Sequence, residues 1–254
     1  MINTAIEAAQ KAGQLAYRYF KSQPKVTYKP DNSPVTRADI EAEKLIRKII
    51  TKKFPDHGII GEELPPVNPN SRFQWVIDPI DGTRDFIRNF PFWAVFIAVL
   101  CDKNPLIGVV YFPVASDLLI AQKSKGAFIN DQKVQVSKTK KLKEAYVCFG
   151  TIKRFIQFDR MGKLTKICAI ARAGRSYGNL NLKFFLEGKA DVMLESYGAM
   201  HDFAAPAILV TEAGGKFTDF SGKFSLTSGN AVATNGLLHN QVLKILNGLS
   251  PTRL

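Results

Sequence analysis

The sequence predicts an α/β layered fold, and three observations carry that expectation. Two amphipathic helical segments, 2–21 and 37–54, open the chain. Apolar runs at 92–100, 106–112, 118–121 and 127–129 are separated by Asp-Lys-Asn-Pro, Pro-Val-Ala-Ser-Asp and Lys-Ser-Lys-Gly, and read as an antiparallel meander. Beyond residue 144, short apolar strands alternate with helical stretches, which is the pattern of helices layered on sheets.

In chain order, the first helix takes Ile6, Ala9, Gly13, Ala16 and Phe20 as its packed face. Residues 24–39 are rich in Pro, Asp, Asn and Ser and read as a loop or paired turns. Thr36 can cap the next helix, with Asp39 completing a capping-box variant, so Asp39 is readable simply as an aid to the helix start. That helix, 37–54, buries Ile40, Leu45, Ile46, Ile49 and Ile50 and ends near Phe54-Pro55. His57-Gly-Ile-Ile-Gly-Glu62-Glu63 is a short strand ending in two acids, and 64–72 is a surface loop. Residues 131–144 are polar and basic, which places a boundary near 138–145 and divides the chain into 1–140 and 141–254. The second part reads as a strand at 145–149, helical periodicity over 153–171 and a turn at 175–179. A helix at 180–187 follows, closed by Gly188, then a strand at 190–194. A helix at 203–213 is stopped by Gly214-Gly215, a strand follows at 231–234, and a helix at 237–249 ends the series. Asp202 stands at the N-cap expected for the 203–213 helix.

The most informative stretch is 73–93. Residues 73–77 form an apolar strand ending at Asp78, and Pro79, with no amide hydrogen, stops its pairing. Asp81-Gly82-Thr83 follows, and 84–88 reads as a short helix. Two carboxylates three residues apart thus stand beside a glycine turn and a helix start. Carboxylate oxygens suit hard divalent cations, and free amides at a helix start suit phosphate. Asp-Pro and Asp-Gly are also ordinary turn dipeptides, so these residues alone leave both readings open.

Composition bounds the rest. With 254 residues, 46% hydrophobic and 22% charged, the chain has enough length for one large domain or two modest ones. No apolar run has the length of a membrane span, and the first residues show no basic segment followed by an apolar stretch, so neither a membrane segment nor a signal peptide is expected. Cys101, Cys148 and Cys168 are too few and scattered for a disulfide framework or a zinc site, and the expected compartment is cytoplasmic. A net charge of +13 raises a nucleic-acid hypothesis. The lysines are spread along the chain, and no nucleic-acid-binding signature interrupts them. A solvated basic surface, able to steer an anionic substrate, is the preferred reading.

Taken together the motifs resemble those of the inositol monophosphatase superfamily, the magnesium-dependent, lithium-sensitive phosphomonoesterases. The central motif is Trp75-Val-Ile-Asp78-Pro-Ile80-Asp81-Gly82-Thr83. Lys29-Pro-Asp-Asn-Ser-Pro-Val-Thr36-Arg-Ala-Asp39 resembles the N-terminal motif and Gly61-Glu62-Glu63 the Gly-Glu-Glu motif. His201-Asp202-Phe-Ala-Ala with Thr211-Glu-Ala-Gly-Gly215 resembles the C-terminal one. The resemblance implies an αβαβα layered sandwich of the inositol monophosphatase and fructose-1,6-bisphosphatase type. It has two subdomains, the first carrying most metal ligands and the second Asp202 and the substrate side, and it is usually a homodimer. It also implies two or three Mg²⁺ ions. Glu62, Asp78 and the Ile80 carbonyl would hold the first, and Asp78, Asp81 and Asp202 the second. A third would lie near Glu62, which is counted with the catalytic residues. Gly82 and Thr83 would receive the phosphate, Thr83 and Asp39 would orient and activate the attacking water, and Lys29 would stand at the edge. The chemistry agrees: an all-oxygen donor set without His or Cys suits Mg²⁺, and clustered acids need cations to relieve their repulsion.

Within that family, Arg84 after Asp-Gly-Thr, the segment Phe86-Ile-Arg-Asn-Phe-Pro-Phe-Trp93, Arg175-Ser-Tyr-Gly-Asn179 and the stretch from Ser228 to His239 resemble the histidinol-phosphate phosphatase branch. Asn179 stands where that branch tends to have an acid, and His201 where it tends to have an aromatic residue. Gly108-Val-Val-Tyr-Phe-Pro113 and Lys125-Gly-Ala-Phe-Ile-Asn130 resemble inositol monophosphatases equally. Glu195, at the position where those enzymes contact a substrate hydroxyl, would serve a polyol hydroxyl or the ammonium of histidinol phosphate. Arg84, Asn179, His201 and Lys29 join it as expected substrate contacts. The expectation is a phosphatase for a small phosphorylated molecule, histidinol phosphate first and inositol 1-phosphate second. A nucleotide 3′-phosphate or fructose 1,6-bisphosphate follows behind. A catalytically silent basic RNA- or protein-binding module on the same fold is the alternative of another class.

Overall fold

In the computed structural model, which describes residues 1–22 and 25–248, α1 (Ile2–Ser22) and α2 (Arg37–Lys53) form an outer layer. Small residues make their seam: Ala5, Ala8, Ala9, Ala12 and Ala42 are fully buried, with Ile46 and Ile50 beside them. Of the other residues expected on the packed faces, Ile6 and Ile49 pack against this core while partly exposed, Phe20 packs on Phe86 and Trp93, and Ile40 and Leu45 stay partly exposed. Between the two helices, β1 (Val26–Tyr28) and β2 (Pro34–Thr36) pair as a short antiparallel ribbon inside the stretch expected as loop. Pro24 of that loop and Leu249 of the last expected helix lie outside the described residues.

The helices cover a seven-stranded sheet ordered as in the sequence: β3 (Gly58–Gly61), β4 (Phe73–Asp81), β5 (Ala94–Cys101), β6 (Asn104–Phe112), β7 (Asp117–Gln122), β8 (Gly126–Ile129) and β9 (Gln132–Val134). Only the β3–β4 pair is parallel. Because side chains alternate along a strand, Val95, Ile97 and Val99 meet α1 and α2, while Phe96, Ala98 and Leu100 face the opposite layer. The meander is as expected, and β9 extends it into the segment expected as polar linker.

The second sheet has five strands in the order β11–β10–β12–β14–β13, from β10 (Tyr146–Phe149), β11 (Ala173–Arg175), β12 (Val192–Glu195), β13 (Lys216–Thr218) and β14 (Ala231–Thr234). Its two faces alternate likewise, Val192 and Leu194 to one side and Met193 to the other. The helix expected over 153–171 is two helices, α4 (Ile152–Gln157) and α5 (Met161–Ile170), because Asp159 takes a left-handed φ of 52° and breaks the run. These two pack with α8 (His239–Leu246) on the outer face.

Between the sheets lie α6 (Leu180–Leu186) and α7 (Met200–Glu212). Eight consecutive α7 residues, Phe203 to Val210, are buried, as a helix clamped between two sheets requires. Its approach to β6 is so close that a Cβ on Gly108 would stand 2.6 Å from Ile208 Cγ2 and 2.8 Å from the Ala205 carbonyl oxygen. The order is therefore helices, sheet, helices, sheet, helices, an αβαβα sandwich. Among the described residues no helix is long and apolar enough to cross a membrane.

Candidate metal centre and active site

The site grows from an irregularity in β4. In a regular strand Asp78 and Asp81, three residues apart, would point to opposite faces. Here Asp78 pairs with Phe96 and Asp81 with Ala94, so three steps on β4 match two on β5. The extra residue is a bulge, and it restores the phase so that both carboxylates face one side. Pro79, lacking an amide hydrogen, sits within the bulge, where no ladder bond is asked of it. The strand thus resumes through Asp81 instead of ending at Asp78 as expected. Gly82, at φ 91°, then turns the chain into α3 (Thr83–Phe86), and a Cβ there would press on the Asn179 amide and the Trp93 backbone.

Two helix starts deliver further acids. Thr36 caps α2, and Asp39 Oδ2 accepts from the Thr36 amide at 2.8 Å and its hydroxyl at 2.6 Å, the expected capping box. Asp202 is not an N-cap as expected. Helix α7 begins at Met200, so Asp202 occupies the third helical position and accepts from the amide of the cap, Ala199, whose own side chain cannot cap. Both acids thus spend one oxygen on the helix start and keep the other for the site.

These elements bring Asp78, Asp81 and Asp202 together, each offering an oxygen within 4.8 Å of the others. Glu62, Asp78 and a ring nitrogen of His201 form a second group within the same limit. The sequence reading put His201 on the substrate side, and the structure sets it among the acids. Burial, reinforced by the neighbouring acids, pushes the Asp78 and Asp81 carboxyls well above their usual range. Burial raises Asp202 as well. A dense set of hard oxygen donors that cannot comfortably all be ionised fits a divalent cation.

Other expected residues surround this cluster. Thr83 Oγ1 lies 3.1 Å from the Ile80 carbonyl and 3.3 Å from Asp39 Oδ1. Burial pushes the Asp39 carboxyl up to about 6. Lys29 Nζ donates to Glu62 and Glu63 at 2.8 Å each; burial pulls its proton affinity down, but those two acids outweigh it and hold it above the usual lysine value. Burial pushes Glu63 up to about 7 in spite of Lys29. Glu195, at the end of β12, is pushed up to about 8 by burial and by Asp202.

Two expected substrate contacts have other partners. Arg84 is exposed and reaches the Asn32 carbonyl at 3.3 Å, and Asn179 donates to the Asp81 carbonyl at 2.8 Å, bracing the turn from outside. Sequence reasoning missed Glu43, which is fully buried in α2. It accepts from the Glu63 amide at 2.8 Å and the Leu64 amide at 3.3 Å and pairs with Arg47, fixing the segment that carries Glu62. Its only trace in the sequence is the Glu-to-Arg spacing of four along a helix.

Comparison with known proteins bears on this geometry. The model of the inositol monophosphatase family matches residues 1–250. A histidinol-phosphatase of Chlorobaculum parvum is 35% identical over 255 residues, covering 97% of each chain. A Nus factor SuhB of Pasteurella multocida is 36% identical over 260 residues, covering 99% of this chain and 96% of that one. The structure of the Thermotoga maritima IMPase superposes with a TM-score of 0.87 at 31% identity, covering 96% of both chains. With a family match along nearly its whole length and relatives this similar in sequence and fold, the chain belongs to the inositol monophosphatase family and is a phosphatase acting on phosphate monoesters.

Proposed function

We propose that the substrate is histidinol phosphate, with inositol 1-phosphate as the second reading. The carrying observation is Glu195, a carboxyl raised by burial that bears on Asp81 and Asp202. An opposite charge beside a carboxyl raised in this way returns it to its ionised form. An amino alcohol phosphate brings an ammonium to it, whereas a polyol brings only hydroxyls. The histidinol-phosphatase relative supports the same choice.

In this reading Glu62, Asp78, the Ile80 carbonyl, Asp81 and Asp202 hold two or three Mg²⁺ ions, whose charge offsets that of the phosphate and acidifies water. The Gly82 and Thr83 amides, at the start of α3, receive phosphate oxygens. The Thr83 hydroxyl, set between Ile80 and Asp39, orients the attacking water and passes its proton to Asp39 Oδ1. A carboxyl raised to about 6 suits that acceptance near neutral pH. The bond from water oxygen to phosphorus forms as the bond from phosphorus to the alcohol oxygen breaks, and the alkoxide takes a proton from solvent. Lys29 holds Glu62 and Glu63 in place, and His201 lies beside Glu62 and Asp78.

Phosphate release from histidinol phosphate, inositol 1-phosphate, fructose 1,6-bisphosphate and adenosine 3′,5′-bisphosphate, with Mg²⁺ and with EDTA, tests the proposal. The expected result is the highest kcat/KM for histidinol phosphate, lost in EDTA. A higher value for inositol 1-phosphate would transfer the assignment. No release from any of the four, together with salt-sensitive RNA binding, would favour the binding-module reading.

A further inference from the structure

The crossover from β12 to α7 carries Glu195 at its start and Asp202 near its end, and the stretch from Gly150 to Arg160 packs along the chain between them. Gly150 passes so close to Glu195 that a Cβ there would stand 2.0 Å from Glu195 Oε2. The Ser196 hydroxyl donates to the Arg154 carbonyl at 3.2 Å. Tyr197 stacks on Phe158 at 5.2 Å and 10°, with the Arg154 guanidinium 4.2 Å from the Tyr197 ring centre.

Arg160 closes this arrangement. The left-handed Asp159 that separates α4 from α5 places Arg160 at the start of α5, from where it turns toward the crossover. Its Nη1 donates to the Ser196 carbonyl, and it lies 3.5 Å from the Gly229 carbonyl in the turn before β14. Its guanidinium lies 5.4 Å from the Phe158 ring centre and 5.5 Å from that of Phe220. Among the described residues this head group meets carbonyls and aromatic faces and forms no ion pair with a carboxylate. A planar cation held in this way fixes direction as well as position, which a flexible ammonium would not.

We infer that Arg160 is a positioning residue for the alcohol end of the substrate. By holding the Ser196 carbonyl it sets the backbone on which Glu195 stands, without touching the substrate itself. The inference rests on the assignment of Glu195 to the alcohol group. Phosphate capture and the attack on phosphorus are left to the β4 turn and α2, which Arg160 does not reach, and Asp202, at the far end of the crossover, is fixed separately by the Ala199 amide.

The test is a double-mutant cycle of Arg160→Ala and Glu195→Gln in the Mg²⁺-loaded enzyme, with histidinol phosphate and with phenyl phosphate, whose leaving group offers Glu195 nothing to hold. Arg160→Ala is expected to raise KM for histidinol phosphate about tenfold while kcat stays within about threefold, because binding at one end of the substrate is what it loosens. KM for phenyl phosphate should not move. The double variant should be no worse than Glu195→Gln alone, since the two substitutions remove one contact. If Arg160→Ala does not fold, Arg160→Lys serves in the same cycle. It keeps a cation near the rings but loses the paired direction, and about a threefold rise in KM is expected. Glu195→Gln raising KM while neither Arg160 variant does would overturn the inference alone. A silent Glu195→Gln would sink the reading of Glu195 and the inference with it. Equal losses of kcat on both substrates, or a double variant with fully additive effects, would show a general structural role and overturn the positioning role.

Discussion

Asp78→Asn should make the metal-free protein more stable and the enzyme inactive. The substitution keeps an oxygen able to accept the Ile80 amide, which Asp78 Oδ1 now does at 3.0 Å, so the bulge keeps its internal brace. What it removes is charge. With site oxygens within 4.8 Å, and an effective dielectric of about 20, each ionised neighbour opposes Asp78 by about 3.5 kcal/mol. Proton uptake by the cluster limits how much of this the metal-free wild type bears, and a net gain of about 1–3 kcal/mol at pH 8 is expected. For a chain of this length that is about 3–10 °C in Tm. Thermal unfolding in EDTA at pH 8 reads this gain, and the same scan with Mg²⁺ should raise the wild type and leave the variant nearly unmoved. Phosphate release should fall below about one per cent of wild type. A variant that loses stability in EDTA, or that turns over normally, would refute the reasoning that clustered charge is what the cation relieves.

Other expectations concern the surroundings. Burial raises the folded-state carboxyls of Asp39 from 3.8 to about 6, Glu63 from 4.5 to about 7 and Glu195 from 4.5 to about 8. At these three groups the folded state therefore holds protons that the unfolded state releases, and their contribution to stability in EDTA should be full below about pH 4 and fall as pH rises toward about 8. A Tm series in EDTA checks the sign, and a Tm that climbs across this window would contradict it. Thr83→Val should lower kcat about 10- to 100-fold with little change in KM, since it removes the hydroxyl between Ile80 and Asp39 but not the carboxyl. Glu43→Ala should cost about 2–4 kcal/mol in urea unfolding, because it strands the Glu63 and Leu64 amides and leaves the Arg47 charge without its carboxylate. Gly108→Ala should cost about 1–3 kcal/mol by the same measurement, as the new methyl meets the backbone of α7.

The layers were legible because alternation and helical periodicity are local properties. The apolar runs of the meander can be read directly from residue order. The turn at 78–83 was legible for a similar reason: the Asp-Pro-Ile-Asp-Gly-Thr run carries its own turn chemistry. The continuation of β4 through Asp81 was not, because the bulge is defined by where Ala94 and Phe96 lie on the next strand. Asp202 looked like a cap because it precedes the apolar run. Its true place at the third helical position depends on an alanine cap that leaves the amide to be answered from behind. Glu43 looked like any helix acid until β3 brought the Glu62-Glu63 segment against it. Arg84 and Asn179 were expected as substrate contacts, and their partners within the protein, Asn32 and the Asp81 carbonyl, lie far away in the chain. Pairings of that kind leave no local pattern.

The central position of α7 has a consequence for how the molecule comes into being on the ribosome. A nascent chain that has emerged only through β9 owns Glu62, Asp78 and Asp81 but lacks Asp202, and the inner face of its first sheet, with Phe96, Val110 and Leu119, has nothing to cover it. Arrival of α7 does two things at once: it seals that face and delivers the missing carboxylate. Truncated products and translation intermediates should therefore be sticky and inactive together, and catalytic competence becomes a report that the central layer has docked.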